Sequence, residues 1–318
     1  MESGNTNWVC HLVRNLIAEE PWRLEFHRTP CYSRRVATFR ARNQQHHRFS
    51  IIFGNPATNR FSAMTSSPSK SSVAIDFFQF AKGPNGPSPS GYCQKLETFL
   101  RAVNFTNYTL KDTVPIFAPK GKLPYVVLHD EEKTITIADS HFIIKHLISS
   151  RLVSDPDESL TPAQRADSRA WQTWTEELAY PAIVHTRWSR PANYAIMKNS
   201  LPMPWLAKPM VGAYFQRVVT KALYGHGVGR HSEREIDELL KEYVDGLEAR
   251  LGEDRFFHGE NPTMVDIIVY GFLANALGEA ANPEYTNMIL ACERIRNYIA
   301  ELTRRWFPEY EKISKMVD

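Results

Sequence analysis

The chain has 318 residues, 43% hydrophobic and 23% charged, a composition that fits a globular protein with room for two domains. Its net charge of +3 leaves the body without the clustered basic face that nucleic-acid binding needs, so no nucleic-acid partner is expected. No apolar run approaches the roughly 20 residues of a bilayer span, so no transmembrane segment is expected either. The four cysteines, Cys10, Cys31, Cys93 and Cys292, have neither disulfide nor metal-ligand spacing, which predicts a reducing compartment and no metal site.

Residues 1–64 hold nine arginines, no lysine and four glutamates. The stretch RTPCYSRRVATFRARNQQHHRFS resembles a mitochondrial presequence in being Arg-rich and acid-free, whereas Glu19, Glu20 and Glu25 argue against one. Translation starting at Met64 is a further alternative. Residues 1–72 therefore read as a disordered, Arg-rich extension, with a cytoplasmic location expected and a mitochondrial one as the alternative.

From residue 73 the pattern becomes orderly. VAIDFFQF predicts a buried strand. The turn formers of GPNGPSPS then lead into a helix whose stripe is Cys93, Leu96, Phe99, Leu100 and Val103. TNYTLKDT, LPYVVL and KTITI read as three further strands, the last two joined by the charged tip HDEEK, and ADSHFIIKHLISS resumes helical spacing. The order predicts a small α/β domain over 73–152. Strands then stop, and helical segments at 162–190, 207–224, 232–251, 263–278 and a C-terminal group to about 316 predict an all-helical domain over 153–318. Ser232 and Glu235 read as a capping box with Gly252 as its stop, while the prolines of LPMPWLAKP predict a loop or lid.

Three places in the small domain combine groups able to carry chemistry. Ser90-Gly91-Tyr92-Cys93 opens a helix, where unpaired amides and the positive end of the macrodipole favour an anion. Pro124 opens a strand and would expose the backbone of Leu123 if its peptide were cis. Asp139 and Ser140 begin the next helix and offer carboxylate, hydroxyl and N–H groups. Each also has a purely structural reading as a cap or a loop end. Cys93 is open to two readings, an activated thiol in the first turn or a packed core residue. GHGVGR at 225–230 lacks the preceding strand of a phosphate loop and reads as an interhelical connection.

The segments GPNGPSPSGYCQKLETFLR, PKGKLPYVVL, IADSHFIIKHL, YGHGVGRHSEREI and FHGENPTMVDIIVYGFLA together resemble the glutathione transferase superfamily, in a branch similar to the failed-axon-connections proteins and, more distantly, the metaxins. The resemblance spans about 73–310. It implies a thioredoxin-like N-terminal domain that binds glutathione as cosubstrate and an all-α C-terminal domain that supplies the pocket for a small hydrophobic electrophile, with homodimers common among relatives. By position, Lys122, Leu123 and a cis Pro124 would hold the cysteinyl part of glutathione, and Asp139 with Ser140 its γ-glutamyl end. Thr263 and Asp266 would form a buried N-cap box, and Trp174, the aromatic expected nearest the cleft, would line the acceptor pocket. Family members often carry Pro-Phe where this chain has Gly91-Tyr92, which leaves the hydroxyl donor open between Ser90 and Tyr92.

The energetics favour a hydroxyl there. Bringing a thiol of pKa about 8.5 down by about two units requires roughly 2.7 kcal/mol. A helix N-terminus supplies about 0.3–1 kcal/mol and a hydrogen bond to a charged group about 1.5–3 kcal/mol. The expected activity is thiolate attack on an electrophilic carbon, in detoxification or secondary-metabolite pathways as in fungal relatives, or reversible addition that isomerises a double bond. The alternative the resemblance allows is a non-catalytic adaptor or a metaxin-like mitochondrial import component.

Overall fold

A computed structural model describes residues 73–130 and 133–318. The Arg-rich stretch read as disordered, and the tip of the HDEEK hairpin, lie outside the described residues.

Alternation in AIDFFQ buries Ile75, Phe77 and Gln79 on one face of strand β1 (Ala74–Gln79). β1 pairs in parallel with β2 (Tyr108–Asp112) and antiparallel with β3 (Tyr125–His129), which in turn pairs antiparallel with β4 (Thr134–Ala138), giving the order β2-β1-β3-β4. Phe77 therefore lies between Leu110 and Val126 in register. Helix α1 (Gly91–Ala102) makes the crossover between the parallel pair, as such a connection requires. Between β2 and β3 the chain forms only a short 3₁₀ turn, Pro115–Phe117. Helix α2 (Ser140–Ser149) follows β4 and buries Ile143, Ile144 and Leu147. This is the thioredoxin-like arrangement.

The remaining described elements are helical: α3 (Pro162–Thr173), a π-helical turn (Trp174–Ala179), α4 (Tyr180–Ser189), α5 (Pro191–Ser200), α6 (Lys208–His226), α7 (Glu233–Leu251), α8 (Met264–Gly278), α9 (Pro283–Ala291), α10 (Glu293–Trp306) and α11 (Glu311–Val317). Two of these differ from the sequence expectation. The segment 162–190 contains a π turn, and α5, opened by Pro191 at a helix start, occupies residues to which the sequence reading assigned no element.

α1 is buried on more than one side. Its apolar stripe, Cys93, Leu96, Phe99 and Leu100, is fully enclosed, and so are Gln94, Lys95, Glu97 and Thr98. The reason is α8, which is buried from Val265 to Leu277 and lies across α1 at backbone contact. A Cβ at Gly271 would sit 2.9 Å from Lys95 Cα and 3.0 Å from Lys95 N. The polar groups trapped by this packing are paired: Glu97 takes Lys82 at 2.6 Å and Arg101 at 3.2 Å. The start of α8 is fixed by Asp266, whose buried carboxylate accepts the amide and hydroxyl of Thr263 at 2.7 and 2.9 Å, the Phe257 amide at 3.0 Å and the Tyr298 hydroxyl at 3.2 Å. Burial raises the Asp266 pKa, and these donors oppose the shift.

Two substitutions test this packing by urea unfolding. Gly271→Ala forces backbone apart at the α1–α8 crossing and is expected to cost about 1–3 kcal/mol. Asp266→Ala strands several buried donors and is expected to cost about 3 kcal/mol or more; a loss under 1 kcal/mol would show that the box is dispensable.

Candidate functional site

Ser90 is the N-cap of α1, in extended backbone conformation and 6% exposed. Its Oγ accepts from the Cys93 amide at 3.4 Å, and its own amide donates to Ser88 Oγ at 3.4 Å. The Gly91 amide donates to the Tyr180 phenol oxygen at 3.2 Å. The chain's own hydroxyls thus satisfy part of the helix N-terminus that sequence analysis offered to an anion. Gly91 is there for space: a Cβ would lie 2.5 Å from the Phe272 ring and 2.9 Å from Tyr180, which accounts for glycine where relatives often carry proline.

Tyr92 points elsewhere. Its O–H donates to the Glu176 carbonyl at 3.1 Å, and its ring packs edge-on against Tyr180 and Phe272. Burial, reinforced by the charges of Glu176 and Glu177, pushes its pKa well above the ordinary phenol range. The expectation that Tyr92 competes with Ser90 as thiol donor is therefore corrected: its single proton is committed to the π turn, and it acts as a strut between the sheet and the helices. Cys93 is completely buried on the core stripe; burial pushes its thiol up to about 11, although the Ser90 hydroxyl works in the opposite direction. It is a packed cysteine.

The Leu123–Pro124 peptide is cis. Leu123 is buried and Lys122 exposed, and the β-ladder begins only at Tyr125, so the peptide groups of Leu123 lie outside it. The Asp139 amide donates to the Pro124 carbonyl at 3.1 Å, which joins two of the three sequence-predicted places. Asp139 has φ 89, and its Oδ1 caps α2 by accepting the His141 amide at 2.9 Å. A non-glycine residue at positive φ is held there by its surroundings. Ser140 is buried.

Sequence reasoning missed the group that joins these places to the helices. Lys95, 1% exposed, makes a 2.5 Å ion pair with Glu176, whose carboxylate also accepts from the Gln172 amide at 3.1 Å. His141 lies in the same electrostatic neighbourhood: burial and the charges of Lys95 and Arg169 lower its pKa, opposed by Glu176 and Asp139. A lysine between Gln94 and Leu96 reads as solvent-facing by helical period, so only the covering helices reveal it.

Other expectations are placed as follows. Trp174 packs on Trp171 at 5.0 Å and against Tyr243 at 5.5 Å, with its ring over Gly246, so it belongs to the seam between the π turn and α7 and the pocket-lining expectation is corrected. In GHGVGR, Gly227 caps α6 at φ 110, and Gly229 packs so close that a Cβ would lie 2.5 Å from the Tyr224 amide nitrogen. The Ser168–His258 contact of 2.8 Å is not a nucleophile–base pair, because Arg250 donates to His258 Nδ1 at 3.3 Å and so makes Nε2 the donor toward Ser168. The packed state of Cys93 gives a direct test: iodoacetamide at pH 8, followed by peptide mapping, should leave Cys93 unmodified in the folded protein and label it fully in urea. Rapid native labelling would show that the thiol is accessible.

Comparison with known proteins adds the following. The model for the glutathione S-transferase N-terminal domain matches residues 91–193, and that for the C-terminal domain matches residues 240–302. The chain is 30% identical over 260 residues to Failed axon connections of Drosophila melanogaster, covering 77% of this chain and 60% of that protein. It is 28% identical over 200 residues to a metaxin-1 homolog of Caenorhabditis briggsae, covering 61% of this chain and 62% of that one. To the isoprene-epoxide–glutathione S-transferase of Rhodococcus sp. (strain AD45) it is 26% identical over 226 residues, 66% of this chain and 92% of the other. The chain thus spans about 60% of the length of the first two relatives. Among solved structures, glutathione transferase GSTFuA3 from Phanerochaete chrysosporium shares the fold, with a TM-score of 0.50 at 15% identity over 73% of this chain and 97% of that one. With a thioredoxin-like sheet followed by helices, and both halves matched by the models of one family, the chain belongs to the glutathione S-transferase family.

Proposed function

We propose that the protein binds glutathione at its sheet domain and uses the Ser90 hydroxyl to raise the thiolate fraction of the bound tripeptide for attack on a hydrophobic electrophile. The observation that carries this reading is the Pro124–Asp139 junction. A carboxylate N-cap held at φ 89 is tied by its amide to the Pro124 carbonyl at 3.1 Å, beside a Leu123 peptide outside the ladder. A fixed carboxylate beside ladder-free peptide groups complements an α-amino group next to a peptide backbone. In this reading Lys122, Leu123 and Pro124 hold the cysteinyl part, and Asp139 with Ser140 holds the γ-glutamyl end.

The thiol proton leaves to solvent, and the sulfur lone pair forms a bond to the electrophilic carbon. Opening of a strained ring or departure of a leaving group completes conjugation. Where addition to an enone is reversible, elimination returns glutathione and leaves an isomerised double bond. The name of the Rhodococcus relative records an epoxide electrophile for that protein, which supports the substrate class. A cytoplasmic homodimer is the accompanying expectation, and its mass in solution is read by light scattering.

Titration of bound glutathione by its thiolate ultraviolet band is the test. Ser90→Ala should raise the bound thiol pKa by about 1–2 units, the equivalent of one hydrogen bond to a charged group, while Tyr92→Phe leaves it unchanged. Equal values for wild type and Ser90→Ala would remove Ser90 from the chemistry. Asp139→Ala should weaken glutathione binding by about 1.5–3 kcal/mol, measured by calorimetry.

A second reading, a non-catalytic adaptor, is favoured by one observation: the Gly91 amide and the Tyr92 hydroxyl are both already bonded within the protein, to Tyr180 and Glu176. A folded protein that shows no retention on immobilised glutathione would support it.

A further inference from the structure

Helix α6 breaks the usual rule for a surface helix. Its inward face buries Val211 and Leu223, yet its outward face is also apolar: Met210 is 59% exposed, Tyr214 45% and Val218 46%. These three follow Leu206 at four-residue steps, so the exposed apolar side chains form one ridge, with Trp205 at 76% and Leu206 at 72% at its start. A contiguous exposed apolar ridge of this kind marks a docking surface.

The charge pattern selects the occupant. Residues 178–232 contain seven Lys and Arg and no Asp or Glu. Two of the seven are used internally, Arg187 by Asn275 and Asn282, and Arg190 by Asp237, Glu233 and Glu284. Among the described residues the cations beside the ridge pair with no carboxylate: Lys208 donates to the Asn199 carbonyl, Lys198 lies over the Tyr194 ring at 5.8 Å, and Arg230 lies over Tyr224 at 5.0 Å. Arg217 and Lys221 share the exposed side of α6 with the ridge. At the far end of the helix Glu177 lies 3.7 Å from His226. No described helix is long and apolar enough to cross a membrane, so the face is suited to lie on a surface.

We propose that the α5–α6 face binds peripherally to an anionic bilayer, Trp205, Leu206, Met210 and Tyr214 entering the interface and Lys208, Arg217 and Lys221 meeting the headgroups. Trp and Tyr suit that boundary, having an apolar body and a polar tip. Basic residues flanking an apolar face supply the electrostatic part of such binding. A second copy of the chain is the poorer occupant, because two copies of an acid-free cationic face repel each other.

The test is co-sedimentation of the full chain with vesicles of phosphatidylcholine alone and of equal parts phosphatidylcholine and phosphatidylserine. Wild type should sediment with the anionic vesicles only, and less so as salt rises. The double substitution Trp205→Ser with Leu206→Ser should weaken partition by roughly tenfold or more. The triple substitution Lys208→Glu, Arg217→Glu and Lys221→Glu should weaken it on the order of 100-fold. Trp205, Leu206, Arg217 and Lys221 are exposed and Lys208 is half-buried, and unchanged circular dichroism confirms folding. Because the Arg-rich N-terminal stretch is present in every variant, equal binding by wild type and variants would assign lipid binding elsewhere and overturn the proposal. So would wild type that ignores anionic vesicles, or a vesicle-free dimer, seen by sedimentation velocity, that the Trp205 and Leu206 substitutions abolish.

Discussion

The crossing of α1 and α8 is the constraint on which the rest of the structure depends. At Gly271 the absence of a side chain lets one helix rest on the backbone of the other, 2.9 Å from Lys95 Cα to a would-be Cβ. At that separation α1 cannot keep a solvent face, so Lys95 and Glu97, which an isolated amphipathic helix would turn to water, are enclosed and paired. The sheet domain and the helical domain thereby share one core, and the helix that opens the candidate site is clamped from both sides.

That clamp explains the character of the site. Gly91 yields its space to Phe272 and its amide to Tyr180, and Tyr92 is fixed to the π turn. The extra residue of that π turn serves two neighbours at once: Trp174 faces α7, while Glu176 reaches back to Lys95 and Tyr92. π turns interrupt helices where a local shift in register is useful. Here the shift joins the helical domain to the first turns of α1. Ser90 keeps its hydroxyl beside this junction, in the company of Cys93, Ser88 and Tyr180.

The two surfaces of interest differ in physical kind. Around Asp139 and Pro124 the design is polar and rigid, built from a positive-φ carboxylate, a cap and a backbone hydrogen bond. Along α6 it is apolar and cationic.

The local elements were legible without coordinates because each obeys a short-range rule. β-Branched and aromatic residues marked β1, the Ser232–Glu235 box and Gly252 bounded α7, and the resemblance marked Thr263 with Asp266 at the start of α8. The resemblance carried by SPSGYC, KLPYVV and ADSHF pointed to the family through the same local segments. The tertiary structure alone decided which side of each residue met a neighbour. Helical period put Lys95 in water, and α8 and the π turn buried it; chemistry made Tyr92 a candidate donor, and its hydroxyl donates to the Glu176 carbonyl; the resemblance put Trp174 near a cleft, and its ring packs against α7. The exposed ridge of α6 is likewise a tertiary outcome, since Met210, Tyr214 and Val218 face outward in the fold. Periodicity fixes a helix and its stripes from residues three or four apart, whereas burial depends on partners eighty or more positions away, such as Glu176 for Lys95, and nothing in the local sequence encodes their approach.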